Sequence, residues 1–454
     1  MRSTVAPAFV VLAALVAACT ASESDDGTGD EAIRQGERNI VGAAVPYPAD
    51  RGLAARDKEL ASSIAARRAM AWKSLAKILK PVAIADTRPQ PSGKAGELPL
   101  FRTWYGRDDF QRMFAAAAKT GSAEPGEPIA DTTIDKVIAD DPKGRGSWSE
   151  EDYLARVGRI TDQTDLDGLG GNGRVTYSPG FVRHLISRYW DVYNCGDDRR
   201  IAGNLDLEIG KNFSSCFNQE FPADAAIIKT SWYRNDVFSD SIPVYRTDAK
   251  SVEGRLKGTK DSGGWGPGDG TAKPEARDIY TVKLSDGNVF RMPALHLVTK
   301  ELRHWVWITI WWSDEPDTDF GADRPAEITA LGGPWKNYKM CVTTDFEERD
   351  KDPTGGFKGS LGEALAAGTE GGVTRCSNPY IEKGAKNAQT NCIGCHQHAG
   401  ALDLSSESVL SDEAKFPKAG RTKVRKNFIT DYTFSLDKRP EMLRAMIQNQ
   451  VEGR

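Results

Sequence analysis

The chain has 454 residues, of which 39% are apolar, and it carries a formal net charge of −4 at pH 7. This length allows two or three domains, and a near-neutral chain lacks the basic surplus of nucleic-acid-binding proteins. The chain contains seven cysteines and five histidines, so a segment in which these residues gather is informative about function.

The N-terminus is typical of an exported protein. Arg2 gives a short positive start, residues 6–18 carry no charge, and Cys19 follows directly. This apolar run is shorter than the roughly twenty residues that span a bilayer, and small residues precede the expected cleavage point. The pattern predicts a secretory signal peptide over residues 1–18.

The tetrapeptide Val16-Ala17-Ala18-Cys19 resembles the lipobox of bacterial lipoproteins. In that family the cysteine becomes the first mature residue and carries acyl chains. The resemblance therefore implies lipidation of Cys19 and a location on the periplasmic face of the cell envelope. Thr20, where aspartate would favour the inner membrane, implies the outer membrane. An ordinary signal peptide cleaved at another position is the alternative.

Residues 19–36 are predicted to form a lipidated, flexible tether. Residues 22–31 are acidic and contain glycine and serine, so they cannot bury apolar surface. No later run approaches eighteen apolar residues. We therefore expect membrane contact through the lipid anchor alone.

Residues 37–195 are predicted to be mainly helical. Over residues 56–80 apolar side chains recur at helical spacing, and Pro81 ends the pattern. The repeating residues are Ile64, Ala71, Leu75 and Ile78.

Two capping signals predict further helices in this region. Ser147 with Glu150 matches a capping box for a helix that ends near residue 160. Ser178 followed by Pro179 is typical of the first residues of a helix.

Residues 196–349 are predicted to be rich in β-structure. Residues 225–233 favour a strand, and Asp286-Gly287 predicts a hairpin turn between two alternating runs. Residues 295–300 and 304–312 are predicted to be further strands. The second of these runs is apolar on both faces, which indicates a central buried strand.

Four cysteines are expected to form disulfides because the chain is predicted to be exported. They are Cys195, Cys216, Cys341 and Cys376. Four cysteines allow three pairings, and the shorter separations favour Cys195–Cys216 and Cys341–Cys376. Four reduced cysteines are the alternative.

Residues 350–454 are predicted to be irregular until they reach the sequence TNCIGCHQHAG, which begins at Thr390. Cys392, Cys395 and His396 form the C-x-x-C-H pattern of covalent c-type haem attachment. Residues at i and i+3 share one side of a helical turn, so both sulfurs can reach one porphyrin edge. His396 is then the proximal iron ligand. A zinc site and a disulfide between the two cysteines remain alternatives.

The motif resembles that of single-haem c-type cytochromes, and this resemblance implies one covalent haem c. In the common small members a downstream methionine is the second axial ligand, so Met442 and Met446 are candidates. Their spacing of four, beside Leu443, also fits a core-facing helical stripe. His398 is expected to be a supporting or surface group, because it is too close to His396 to reach the opposite haem face.

His296 and His304 are further distal candidates, although a histidine in a sheet is more often only hydrogen-bonded. Trp305, Trp307 and Trp311 are predicted to share one strand face, where they would wall a haem pocket or simply pack in the core.

A second resemblance covers the order of a β-sheet region, a C-terminal haem motif and then residues 431–436. This order is similar to the β-sheet cytochromes of the P-four-sixty and cytochrome c-prime-beta group. Their enzymatic members oxidise hydroxylamine at an open iron and carry a lysine cross-linked to the haem. This chain is far longer, and neither Lys229 nor Lys300, expected near strand ends, is assigned that role.

The sequence thus predicts an α+β fold with a helical N-terminal region, an antiparallel β-sheet domain and a C-terminal haem-attachment segment packed on it. The expected function is electron transfer with a redox partner protein. A haem enzyme acting on a small nitrogen compound and a haem-based gas-binding module are the alternatives. A basic run after the motif either docks an acidic partner or is a solvated loop. Its members are Lys415, Lys418, Arg421, Lys423, Arg425 and Lys426.

Overall fold

The protein has an α+β fold with antiparallel strand pairing. The computed structural model describes residues 44–84, 91–121, 128–140, 174–193, 220–235, 240–283, 289–345, 348–370, 372–398, 406–414 and 418. In these ranges, no helix has the length and apolarity needed to cross a membrane.

The first helical segment is divided in two. Helix α1 spans Asp57–Ala61 and helix α2 spans Ile64–Leu79. The prediction of one helix over residues 56–80 is wrong at this break. Ser63 is extended, and its hydroxyl accepts a hydrogen bond from the Ala66 N–H at 3.1 Å, which starts α2 as an N-cap does.

Three further helices precede the main sheet. They are α3 at Arg107–Gly121, α4 at Asp131–Asp140 and α5 at Pro179–Tyr193. The start predicted for α5 is confirmed, because the Ser178 hydroxyl accepts the Phe181 N–H at 3.3 Å. The predicted capping box at residues 147–150 lies outside the described residues.

The region predicted to be mainly helical also contains strands. They are β1 at Pro81–Ala83, which pairs with β2 at Glu97–Pro99, and β3 at Arg174–Tyr177, which joins the main sheet.

The main sheet has the strand order β10-β9-β8-β4-β3, and β7 pairs with part of β8. Its remaining strands are β4 at Ala226–Arg234, β7 at Thr281–Lys283, β8 at Val289–Thr299, β9 at Val306–Trp312 and β10 at Tyr338–Thr343. Every pairing is antiparallel. The predicted central position of residues 304–312 is confirmed, since β9 lies between two strands and is buried along its whole length.

The predicted hairpin forms between β7 and β8, with Lys283 opposite Val289. The turn residues themselves lie outside the described ranges. Strand β8 then continues to Thr299, so the prediction of a separate strand at residues 295–300 is wrong. Pro293 lacks an N–H, but it lies opposite the register shift between Ser231 and Tyr233, where the ladder is already irregular.

One face of the sheet packs against helix α2. Ile308 and Ile310 of β9 belong to the same buried cluster as Leu75 and Ile78 of α2. Because side chains alternate along a strand, Trp307 and Thr309 point to the other face. That second face receives the C-terminal part of the chain.

The remaining elements are short. They are β5 at Ile242–Val244, paired with β6 at Gly270–Ala272; helices α6 at Ala249–Leu256, α7 at Ala326–Ala330 and α8 at Gly359–Gly368; strands β11 at Thr369–Glu370 and β12 at Val373–Thr374; and helices α9 at Cys392–His396 and α10 at Ser406–Ser411. Helix α8 falls where an irregular chain was predicted. It forms because Leu361, Ala364 and Leu365 share one buried face.

Candidate haem-attachment site

The C-x-x-C-H motif forms the short helix α9. Asn391 is its N-cap, and the side-chain oxygen accepts a hydrogen bond from the Gly394 N–H at 2.8 Å. Cys392 is 8% exposed and Cys395 is 4% exposed, whereas His396 is half-buried. The two thiols are three residues apart in a helix and therefore share one side of it.

An isolated parallel bridge between Cys376 and Asn391 connects α9 to the preceding part of the chain. The Cys376 N–H donates to the Thr390 carbonyl at 3.2 Å, and the Asn391 side-chain amide donates to the Thr374 carbonyl at 3.1 Å. A disulfide joins Cys376 to Cys341 of β10, with 5.7 Å between the Cα atoms. This is the pairing that the sequence separation favoured, and it links α9 to the main sheet through a few contacts.

Asn378 holds the same segment over the second face of the sheet. Its side-chain amide donates to the Thr309 hydroxyl at 2.6 Å and to the Ile310 carbonyl at 3.0 Å. Asn378 is fully buried, so this anchor is protected from water. These hydrogen bonds confirm the predicted packing of the C-terminal segment on the sheet.

Gly394 has a packing role that the spacing of the motif did not indicate. A Cβ atom at this position would overlap the hydroxyl of Thr390, and the Thr390 Cβ atom would lie 3.8 Å away. Thr390 is 3% exposed. The glycine therefore allows α9 to lie closely against the residue that precedes its cap.

The strand register defines which side chains lie beneath α9. On β8, His296 is flanked across the strands by Lys229 of β4 and Thr309 of β9. Val298 is flanked in the same way by Ile227 and Trp307. Directly paired residues of antiparallel strands share a face, so both rows lie on the face that carries the C-terminal segment.

His396 contacts this face at Trp307, and the two ring centroids are 4.5 Å apart. Trp307 is held by its indole N–H, which donates to the His304 carbonyl at 2.8 Å. His296 lies on the same face, in the row of the ladder next to that of Trp307. Two histidines that are 100 residues apart in the sequence therefore lie on the same side of the sheet.

His296 is 9% exposed, and among the described residues its Nδ1 atom has no hydrogen-bond partner. Burial lowers the pKa of His296 well below its usual value, and the neighbouring charges of Lys229 and His396 lower it further. The imidazole is therefore neutral near pH 7, which is the form that binds metal ions.

Three half-buried aliphatic side chains continue this face across neighbouring strands. Val175 of β3, Ile227 of β4 and Val298 of β8 pack against the cluster that contains Cys392 and Ile393. They form an apolar floor against the cluster that contains Cys392. Such a floor suits a porphyrin, whose faces are apolar.

Lys229 lies in the interior of β4, opposite His296, so the expectation that it lies near a strand end is wrong. Its charge also acts on Glu382 of the C-terminal segment, where burial raises the carboxyl pKa and Lys229 opposes that rise. Lys300 follows the end of β8, as expected, and its ammonium donates to the Arg303 carbonyl at 2.6 Å.

The other sequence candidates are dispersed. His304 lies before β9, with its Nδ1 atom 3.4 Å from an Asp345 oxygen. Trp305 precedes β9 and has a positive φ of 64°, so it does not follow the alternation of that strand. Of the three tryptophans, only Trp307 and Trp311 share a face of β9. His398 is 1% exposed, which contradicts a surface position.

Several predicted site residues lie outside the described residues. They are Cys19, Cys195, Cys216, Met442 and Met446. Most of the basic run after the motif is outside them too, apart from Lys418, whose N–H donates to a Glu413 oxygen at 2.7 Å.

The residues around α9 fit a covalently attached haem. They supply two thiols on one side of a helix, an imidazole one residue further on, an apolar floor and a second buried imidazole with an unpaired nitrogen. Within the described ranges, no group of three or more histidine, cysteine, aspartate and glutamate side chains is arranged to hold a metal ion by itself.

The fold places the chain in the α+β class, and comparison with known proteins takes the assignment no further. The chain matches no protein-family model, no curated protein and no solved structure.

Proposed function

We propose that this protein is a single-haem c-type cytochrome that transfers electrons. Cys392 and Cys395 would form the two thioether bonds, and His396 would be the proximal iron ligand. The haem would supply a one-electron iron couple.

The observation that carries the proposal is the docking of α9 on a partly apolar sheet face. A C-x-x-C-H sequence alone predicts attachment, but a haem protein also needs a surface that covers the porphyrin and excludes water. Here Trp307 packs on His396, and three aliphatic side chains lie on the same face. Burial of this kind disfavours the more highly charged oxidised form of a haem and raises its reduction potential.

In this proposal, different residues cap α9, anchor it to the sheet and orient the His396 ring. Asn391 and Thr390 set the start of α9, and Asn378 with the Cys341–Cys376 disulfide holds it over the sheet. Trp307 fixes the orientation of the His396 ring. A rigid support of this kind keeps the environment of an iron similar in both redox states, which favours fast electron transfer.

The test is to express the full chain with its signal peptide in cells that attach c-type haem. The expected product has one haem per chain, resists acid–acetone extraction of the haem, and gives a c-type pyridine haemochrome. Cys392→Ala and Cys395→Ala should each lose one thioether and shift the haemochrome band. Ile393→Val, between the two cysteines, is the matched control and should keep full haem content. A wild-type protein with stoichiometric zinc and no haem would overturn the proposal.

We also propose that the mature protein is a lipoprotein of the cell envelope, anchored through Cys19. The support is the sequence before Cys19, which resembles a lipobox and follows a signal-peptide pattern. Mass spectrometry of the mature N-terminal peptide should find diacylglycerol on Cys19, and Cys19→Ser should block this modification. A mature N-terminus at any other residue would contradict the proposal.

One observation favours a haem enzyme as the second candidate. Lys229 lies on the same sheet face as the motif, and the resemblance to the β-sheet cytochromes implies a lysine bound to the haem. Peptide mapping of the haem-bearing fragments separates the two functions. A haem peptide that includes Lys229 supports the enzyme, whereas one limited to residues around α9 supports the electron-transfer protein.

A further inference from the structure

We propose that His296 is the second axial ligand of the iron, so that the haem is six-coordinate with two histidines. This inference rests on the proposed haem attachment and specifies the ligand set of that same site. It brings together one ligand from α9 and one from the middle of the main sheet.

The strand register places His296 near the motif helix. His296 and Trp307 lie on adjacent strands and on the same face, in neighbouring rows of the ladder. Trp307 contacts the His396 ring. The His296 side chain therefore lies on the part of the sheet beneath α9.

The environment of the His296 ring also fits an iron ligand. Nδ1 of His296 is buried without a hydrogen-bond partner in the part of the chain that the structure describes. A buried polar atom without a partner is destabilising, because it loses its hydrogen bonds to water and gains none in the protein. Binding to iron would give this nitrogen a partner, and imidazole is among the commonest iron ligands.

His304, the other histidine considered from the sequence, lacks these features. Its side chain is 28% exposed, and its Nδ1 atom lies 3.4 Å from an oxygen of Asp345. It lies in the connection before β9 rather than within a strand. His304 is therefore a suitable comparison residue for the experiment.

Two histidine ligands have a definite functional consequence. They leave no open iron position for dioxygen, carbon monoxide or a nitrogen substrate, so they favour electron transfer over catalysis. They also keep the iron low-spin in both oxidation states, which limits the structural change that accompanies each electron.

The experiment uses the complete haem-loaded chain. Wild-type protein should show a low-spin ferric spectrum, and near-infrared magnetic circular dichroism should show the charge-transfer band of bis-histidine ligation. The reduced protein should not bind carbon monoxide on mixing. His296→Ala should lose the low-spin signal, gain carbon monoxide binding and recover the low-spin signal when free imidazole is added. His304→Ala should retain the wild-type spectrum.

The outcomes are separable. A methionine charge-transfer band that disappears in Met442→Ala or Met446→Ala would overturn this inference and leave the haem proposal intact. A high-spin wild-type protein that binds carbon monoxide would also overturn it. If His296→Ala does not accumulate, the magnetic circular dichroism of the wild-type protein still decides the ligand pair. Absence of haem from the wild-type protein would instead defeat the proposed function.

Discussion

The side-chain oxygen of Asn391 accepts a hydrogen bond from the Gly394 N–H at 2.8 Å. This contact caps the helix that carries both cysteines of the motif, and the other side-chain atom of Asn391 is tied to the Thr374 carbonyl. The start of α9 is therefore fixed by one buried amide side chain. A helix this short makes few intrahelical hydrogen bonds, so it depends on a side-chain cap to satisfy its first N–H groups.

Asn391→Ala should lower the free energy of unfolding by roughly 1–3 kcal/mol, since the cap is lost and the Gly394 N–H is left without its acceptor. Under the proposed function it should also reduce the haem content of the expressed protein. Chemical denaturation and haem quantification measure the two effects. Asn391→Asp retains the capping oxygen and is the matched control for the cap alone. Equal stability of the alanine variant and the wild-type protein would contradict the role of the cap.

Gly394→Ala should destabilise the protein by about 1–3 kcal/mol, because the added methyl group overlaps the Thr390 hydroxyl in a buried site. The double variant Gly394→Ala with Thr390→Ala should recover part of this loss, since the Thr390 Cβ atom is 3.8 Å from the new methyl position. A double-mutant cycle of unfolding free energies measures the coupling. Additive effects would show that the close contact is not the reason for the glycine.

Much of the fold could be predicted from local patterns. Residues 304–312 are apolar at both alternating positions, and that pattern marks a strand covered on both faces, as β9 is. Ser178 and Pro179 mark the start of α5 with equal clarity. Where local signals mislead, the cause is tertiary. At the break after Ser63, the Ile64 N–H donates to a carboxylate oxygen of Asp350 in a distant segment, and the continuity of β8 through Pro293 depends on its pairing with β4.

The candidate site also combines residues that can be predicted from the sequence with residues that only the fold brings together. Cys392, Cys395 and His396 can be found from their spacing alone, because they act within one helical turn. The position of His296 relative to Lys229 depends on the register of β8 against β4. Strand alternation limits each residue to one face, but sequence does not reveal which face α9 covers. The anchoring by Asn378 could not be predicted either, since its partners on β9 are about 70 residues away.

Replacing both Cys341 and Cys376 with alanine should lower the stability of the protein. The disulfide closes a separation of 35 residues, for which the loop-entropy relation gives about 4 kcal/mol. Under the proposed function, haem content should fall as well, because Cys376 is hydrogen-bonded to the segment that carries α9. When both proteins are denatured in the presence of reductant, the difference in stability between the double variant and the wild-type protein should largely disappear. A variant as stable as the oxidised wild-type protein would contradict the anchoring role.

Glu348 should make the stability depend on pH. Its carboxylate lies 3.1 Å from the Arg67 guanidinium, and both side chains are almost fully buried. Burial raises the pKa of Glu348, and the attraction of Arg67 only partly opposes this. The folded protein therefore holds this proton more tightly than the unfolded chain. Unfolding releases the proton in the interval between the two pKa values, so the free energy of unfolding falls as pH rises through it.

Glu348→Gln should remove this contribution, so its stability relative to wild type should improve as pH rises from the acidic side of the usual glutamate range towards neutrality. Glu59→Gln is the comparison variant with the opposite sign. The hydrogen bond with Arg56 lowers the pKa of Glu59. The stability that wild type gains over Glu59→Gln from this bond is therefore lost as pH falls through the pKa of Glu59. Urea denaturation at several pH values measures both slopes. Parallel curves for wild type and Glu348→Gln would contradict the raised pKa.

Lys229→Met should lower the reduction potential of the haem under the proposed function. Lys229 lies opposite His296 on the face beneath α9, and a positive charge there disfavours the extra positive charge of the ferric state. At an effective dielectric constant of about 20 and a separation of about 10 Å, one charge changes the potential by some tens of millivolts. Lys229→Arg keeps the charge and should stay near the wild-type value. Lys58→Met removes an exposed lysine from α1 and controls for net charge. Spectroelectrochemical titration measures all three, and equal potentials for Lys229→Met and Lys58→Met would contradict the placement of Lys229 beside the haem.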